Sequence, residues 1–134
     1  MPHSSPDRRA LNELTHQIIG CAYRVSSGLG AGFLEKVYEN ALAHEIRKAG
    51  LACRQQQRIS VSYDNVVVGD YVADLVVDQR VLVELKAVDA LEDVHAAQCI
   101  NYLAATGLPI CLLFNFGTPK LQIRRFVGKN FRKE

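Results

Sequence analysis

The sequence predicts an α/β fold built on a mixed sheet, and three observations carry that reading. Two stretches near the start repeat apolar residues at helical spacing, the middle of the chain switches to a period of two, and a third helical stretch then precedes a continuous apolar run. A strand, then a helix, then another strand implies a parallel pairing through a right-handed crossover, here grafted onto an antiparallel meander. With 134 residues, 49% of them hydrophobic, the chain suits a single domain over residues 1–134, with a core at about 33–127 and a charged tail at 128–134.

From Asp7 to Ser26, Leu11, Leu14, Ile18, Cys21, Ala22 and Val25 form the apolar stripe of a first helix, leaving Arg8, Arg9, Glu13 and Arg24 for solvent. The run Ser26-Ser27-Gly28-Leu29-Gly30-Ala31-Gly32 should stop it, because three glycines in five residues make continuation costly. It follows a helix and lacks the Walker lysine, so it reads as a turn and not a phosphate loop. Leu34, Tyr38, Leu42, Ile46 and Ala49 mark a second helix ending near Gly50.

Strands begin where Ile59, Val61 and Tyr63 alternate with Ser60, Ser62 and Asp64, and Asp64-Asn65 supplies a turn before Val66-Val67-Val68. Gly69-Asp70 interrupts that run and suggests a bulge or bend, after which Tyr71 to Val77 and Val81 to Val88 read as a hairpin around Asp78-Gln79-Arg80. Glu92 or Asp93 can cap a third helix through Ala105, with Gly107 at its end. Ile110 to Phe114 has the unbroken apolar character of a strand buried on both faces, and Leu121 to Val127 reads as a last strand near an edge.

Bulk properties exclude little but point one way. A net charge of +2 falls short of the strong positive bias of a constitutive nucleic-acid binder. The four cysteines stand singly, with no metal-ligand spacing, and should be reduced and mostly buried. Residues 1–10 lack an apolar leader core and no stretch approaches a membrane span, so the expectation is a soluble cytoplasmic protein with no membrane partner.

The informative segment puts Asp74, Glu84 and Lys86 inside otherwise apolar strands. If residues 78–80 form the hairpin loop, Val77 faces Val81, and stepping inward brings Asp74 opposite Glu84. Carboxylates so paired destabilise each other unless something neutralises them. Lys86 emerges on the same face as Glu84, and Leu75 and Leu85 point the other way. Two such carboxylates suit a hard cation such as Mg²⁺ or Mn²⁺, with Lys86 positioning or stabilising a nucleophile. The alternative is a set of exposed surface charges. The register separates the two, because a two-residue turn would send Asp74 and Glu84 to opposite faces.

Glu35 shares the stripe of Tyr38, Leu42 and Ile46 and should aim at the sheet, as a further metal ligand or as a first-turn acid complementing the helix dipole. Tyr38 reads as core. On the third helix Ala96, Cys99, Ile100 and Leu103 make the apolar side, while His95, Gln98 and Tyr102 share a polar stripe that faces either the site or solvent. Gln98 can hydrogen-bond a phosphate or water and Tyr102 can hydrogen-bond or stack on a base. His95 alone carries only a structural expectation.

Gly32-Phe33-Leu34-Glu35-Lys36-Val37-Tyr38 resembles the G-x-x-E-x-x-Y signature of a bacterial and archaeal family within the PD-(D/E)xK superfamily. The resemblance continues through Asp74, Val83-Glu84-Leu85-Lys86-Ala87, His95-Ala96-Ala97-Gln98, Gln98-x-x-x-Tyr102 and Leu113-Phe114-Asn115-Phe116-Gly117. It implies a restriction-endonuclease-like αβββαβ core, here with an extra N-terminal helix. In that family pattern Glu35, Asp74 and Glu84 surround one or two Mg²⁺ ions and, with Lys86, hydrolyse phosphodiesters. Gln98 and Tyr102 match an element that supports the site and the nucleic-acid strand in one branch. Ala73 replaces the usual proline before the aspartate. The function implied is a Mg²⁺-dependent nuclease acting on nucleic acid, DNA ahead of RNA, with a homodimer compatible. The competing expectation is a non-catalytic binding module that keeps the fold.

Overall fold

The computed structural model describes residues 8–131. The expected start of the first helix at Asp7 and the tail residues 132–134 lie outside the described residues. Eight main elements follow the expected order: α1 (Arg8–Leu29), α2 (Glu35–Lys48), β1 (Cys53–Tyr63), β2 (Val66–Val77), β3 (Val81–Lys86), α3 (Asp93–Thr106), β4 (Ile110–Asn115) and β5 (Gln122–Val127). The strands form one sheet in the order β1-β2-β3-β4-β5, antiparallel except where β3 runs parallel to β4 across the α3 crossover. The mixed α/β fold is therefore as the sequence predicts.

Three layers result. The stripes of α1 and α2, among them Leu14, Ile18, Leu42 and Ile46, pack with Leu75, Val83, Leu85, Leu112 and Phe114 on one sheet face. On the other face α3 contributes Cys99, Tyr102 and Leu103, which pack with Ala73, Val76, Leu82, Cys111 and Leu113. Central strands β3 and β4 are buried on both sides, which explains the unbroken apolar run Ile110 to Phe114 in β4 and the otherwise apolar sequence around Glu84 in β3. All four cysteines are free and buried. No helix among the described residues is long and apolar enough to cross a membrane.

Several expectations are corrected. Helix α1 does not stop at Ser26 but runs through Gly28 to Leu29, because Leu29 packs against the core and repays a single interior glycine. It ends at Gly30, whose φ of 71° is the left-handed conformation glycine adopts without strain, with its N–H donated to Ser26 O at 2.9 Å. Strand β1 starts six residues before Ile59, at Cys53, a start hidden in the sequence because residues 54–58 are all polar and carry no apolar alternation. The bulge or bend expected at Gly69-Asp70 is present one residue earlier, within a continuous β2: the extra residue Val68 sits between the pairs Ser62↔Val67 and Val61↔Gly69. Asp64 and Asn65 both take left-handed backbone, making the two-residue turn. On α3 the buried side is Cys99, Tyr102 and Leu103, while Ile100 is exposed, so the helix is rotated relative to the stripe read from its sequence. The tail is not wholly irregular, since Lys129–Phe131 form a 3₁₀ turn whose Phe131 carbonyl accepts Arg8 at 2.8 Å.

Candidate active site

The hairpin β2–β3 sets the geometry. Asp78 and Gln79 take left-handed backbone (φ 51° and 57°), which closes a three-residue loop. That loop fixes the pairs Val77↔Val81, Val76↔Leu82 and Leu75↔Val83. The next position in this register is Asp74 opposite Glu84, as the residue arithmetic requires. There the backbone ladder ends, and side chains replace it. The Asp74 N–H donates to Glu84 Oε2 at 2.9 Å, and the Leu85 N–H donates to Asp74 Oδ2 at 2.9 Å. Each carboxylate thus uses one oxygen to satisfy a backbone donor freed by the parting strands, leaving the other oxygen for a further partner.

The parting has a cause in the sheet. Leu75 and Val77 face α1 and α2, whereas Ala73, two residues back, faces α3, so alternation along β2 skips at Asp74. Strand β1 makes the same switch between Cys53 and Ile59, and Gln56, which lies opposite Asp74 between the pairs Gln55↔Leu75 and Gln57↔Ala73, takes φ 53°. The Gln56 amide donates to Glu39 Oε1 at 2.7 Å and, more weakly, to Asp74 Oδ1 at 3.4 Å. Glu39 is itself buried and also accepts Gln55 at 2.7 Å and Lys36 at 3.1 Å. Neither Glu39 nor Gln56 stands out in the sequence reading. Glu39 had a signal, since it lies one turn after Glu35 on the same side of α2; Gln56 had none.

Glu84 is 2% exposed. Burial, then the neighbouring Asp74 carboxylate, pushes its acid up to about 9. Asp74 is raised too, first by burial, against the lowering effect of the Leu85 N–H bond. Glu35, the first residue of α2, keeps an exposed surface, yet desolvation of its carboxyl raises it, Lys86 opposes that, and Asp74 and Glu39 add to it. Lys86, at the end of β3, is half-buried and its charge acts on Glu35, Asp74, Glu84 and Cys99 alike. Its backbone is held by the Phe116 N–H at 2.8 Å. The segment that follows is pinned by buried Asn115, which accepts the Val88 N–H and donates to the Val88 carbonyl, each at 3.0 Å. Gly117 is required there, because a Cβ would come within 2.4 Å of the Val88 backbone.

Tyr38 is core, as expected: it stacks on Phe116 (4.8 Å, 8°) and its hydroxyl bonds the Gly30 carbonyl and the Phe33 N–H. It thereby fixes the loop that launches Glu35. Tyr102 is buried and not on a solvated stripe. Its hydroxyl accepts Gln98 at 3.0 Å and donates to the Val72 carbonyl at 3.4 Å, and burial with Glu84 nearby pushes it up to about 12. His95 is structural, its Nδ1 accepting the Glu92 N–H at 3.0 Å at the helix start.

Asp74, Glu84 and Lys86 thus act on one another's charge, Glu84 and Asp74 also act on Tyr102, to which Gln98 is bonded, and Lys86 and Asp74 act on Glu35 from across the end of α2. The structure does not close the expected three-carboxylate shell: among the described residues no group of three or more His, Cys, Asp or Glu is gathered as a metal cage. The Asp74–Glu84 pair still fits a hard divalent cation. Glu84 is buried and Asp74 half-buried, Glu84 keeps Oε1 clear of its bond to the Asp74 N–H, and Asp74 Oδ1 meets only the weak Gln56 bond, so the pair is a donor set that positive charge relieves. Mg²⁺ is commonly held by one or two carboxylates, with water and substrate phosphate completing its shell.

A family model described as the PD-(D/E)XK nuclease superfamily matches residues 12–126, which include every one of these side chains. The fold is similar to the crystal structure of an alkaline exonuclease (LHK-Exo) from Laribacter hongkongensis, with a TM-score of 0.52 and 14% identity, covering 95% of this chain and 73% of that one. No curated protein matches the chain.

Proposed function

The chain belongs to the PD-(D/E)XK nuclease superfamily, and from that premise we propose that it is a Mg²⁺- or Mn²⁺-dependent nuclease acting on DNA ahead of RNA. One observation carries the reading: Asp74 and Glu84 exchange carboxylate-to-backbone bonds where the hairpin opens, so both are presented together at a gap beside Lys86. In this reading Asp74 and Glu84 hold the cation. The cation, when bound, supplies charge neutralisation at the phosphate and acidifies water. Lys86 orients the attacking water and offsets charge developing on the phosphate oxygens. Glu35, across the opening, orients water from the α2 side, and Gln98 with Tyr102 supports the strand.

The segment Gly32–Tyr38 supports placing the chain in the G-x-x-E-x-x-Y group, with residues 1–134 acting as one nuclease domain. Four free, buried cysteines support a reducing, cytoplasmic setting. The test is cleavage of end-labelled DNA and RNA, single- and double-stranded, with Mg²⁺ or with chelator. Wild type should cleave only with the cation, and Lys86→Ala should lose roughly 100- to 1000-fold. Cleavage that survives Lys86→Ala and Glu84→Gln unchanged, or that never appears on any of the four substrates, overturns the proposal and leaves the binding module.

A further inference from the structure

Beside the carboxylate pair, on the α3 side of the sheet, lies a shallow pocket of about 190 Å³ lined by Tyr71, Val94, Ala97, Gln98, Asn101 and Tyr102. Resting on the nuclease reading above, we propose that this pocket takes an unpaired nucleobase of the strand whose scissile phosphate lies at Lys86, which makes single-stranded or frayed nucleic acid the preferred substrate.

The wall chemistry selects a base. No Lys or Arg lines the pocket among the described residues, so a phosphate finds no counter-charge in it. Tyr71 is 46% exposed although it is a large aromatic on a strand, and Val94 beside it is 66% exposed. The Tyr71 ring leans on Tyr102, with centroids 5.4 Å apart at 47°, and keeps nearly half of its surface exposed. That support holds the ring in place before anything binds, which lowers the ordering cost of stacking. The pocket floor is equally fixed, because the Tyr102 hydroxyl is tied to Gln98 and to the Val72 carbonyl. Exposed Asn101 offers both a donor and an acceptor to a base edge, and Gln98 keeps its carbonyl oxygen free of the Tyr102 bond.

Position supports the same occupant. Tyr71 lies three residues before Asp74 on β2, about 10 Å along a strand, a reach that suits a nucleotide flanking the scissile phosphate. A base inside a duplex has both faces covered by its neighbours, so only an unstacked base can offer its face to Tyr71.

The test is fluorescence anisotropy of labelled oligothymidylate and of a blunt duplex of equal length, in chelator so that nothing is cleaved. It uses the full chain as wild type, Tyr71→Ala and Tyr71→Phe. Wild type should bind the single strand more tightly, Tyr71→Ala should weaken that binding on the order of tenfold while leaving duplex affinity unchanged, and Tyr71→Phe should keep it. Equal affinities for the two forms, loss shared equally by the duplex, no loss in Tyr71→Ala, or no binding by wild type would each overturn the pocket. The cleavage assay reads the nuclease proposal separately: single-strand binding that depends on Tyr71 without any cleavage would sink the nuclease reading and keep the pocket. Cleavage indifferent to Tyr71 together with unchanged binding would do the reverse.

Discussion

One hairpin contains two opposite solutions to the pairing of β2 with β3. At its turn end Leu75, Val77, Val81 and Val83 are fully buried, the backbone ladder is intact and α1 and α2 cover it. One residue further, at Asp74 and Glu84, the ladder ends, carboxylates replace backbone acceptors and the strands part. The first end is apolar burial used for stability. The second sets two carboxyls side by side at a buried position, which costs stability as soon as both ionise.

Removing apolar volume from the closed end should have the largest effect on the fold. Leu75→Ala is expected to lose about 2–5 kcal/mol by chemical denaturation. Were Leu75→Ala nearly silent, the closed end would not be the anchor described here.

The open end should respond with the opposite sign. A carboxyl raised from its usual range to about 9 binds its proton in the folded state between roughly pH 4.5 and 9, where the unfolded chain has lost it. Stability from this group is therefore complete below about pH 4.5 and falls as pH rises toward 9. Glu84→Gln removes that slope. Without divalent cation it should raise the melting temperature at pH 8 by roughly 5 °C and make little difference at pH 4. A variant less stable than wild type at pH 8 would mean that Glu84 is not a strained acid.

The smallest effect belongs to the device that aims Glu35. Tyr38→Phe keeps the stack on Phe116 but removes the hydroxyl that joins Gly30 to Phe33, and should cost about 1 kcal/mol. If cleavage falls by more than that stability loss accounts for, with the metal isotherm unchanged, Glu35 placement is the reason.

The same contrast explains what could be read in advance. The closed end was legible because a three-residue loop and strict alternation determine its register. That register extends by counting to Asp74 and Glu84. What counting does not reach is the side-chain exchange there, or the coordinated face switch at Gln56 and Asp74. Both depend on tertiary partners, chiefly Glu39 on α2, which accepts from the neighbouring residues Gln55 and Gln56 alike. Ile100 was misplaced for a related reason. A tyrosine counts as polar in a helical stripe, but here its hydroxyl is satisfied inside by Gln98 and Val72, so the ring is buried and Ile100 is left outside. Of the candidate residues, Asp74, Glu84 and Lys86 were placed by strand geometry, whereas the exposed position of Glu35 at the start of α2 was not.

The most direct test of the central claim is calorimetric titration of Mn²⁺ into wild type, Asp74→Asn and Glu84→Gln. Binding to wild type that is lost in both variants, with a proton released per ion at pH 7 as Glu84 gives up its hydrogen, is the predicted result. Binding that persists unchanged in both variants would contradict the account, because the cation would then sit somewhere other than the opened end of the hairpin.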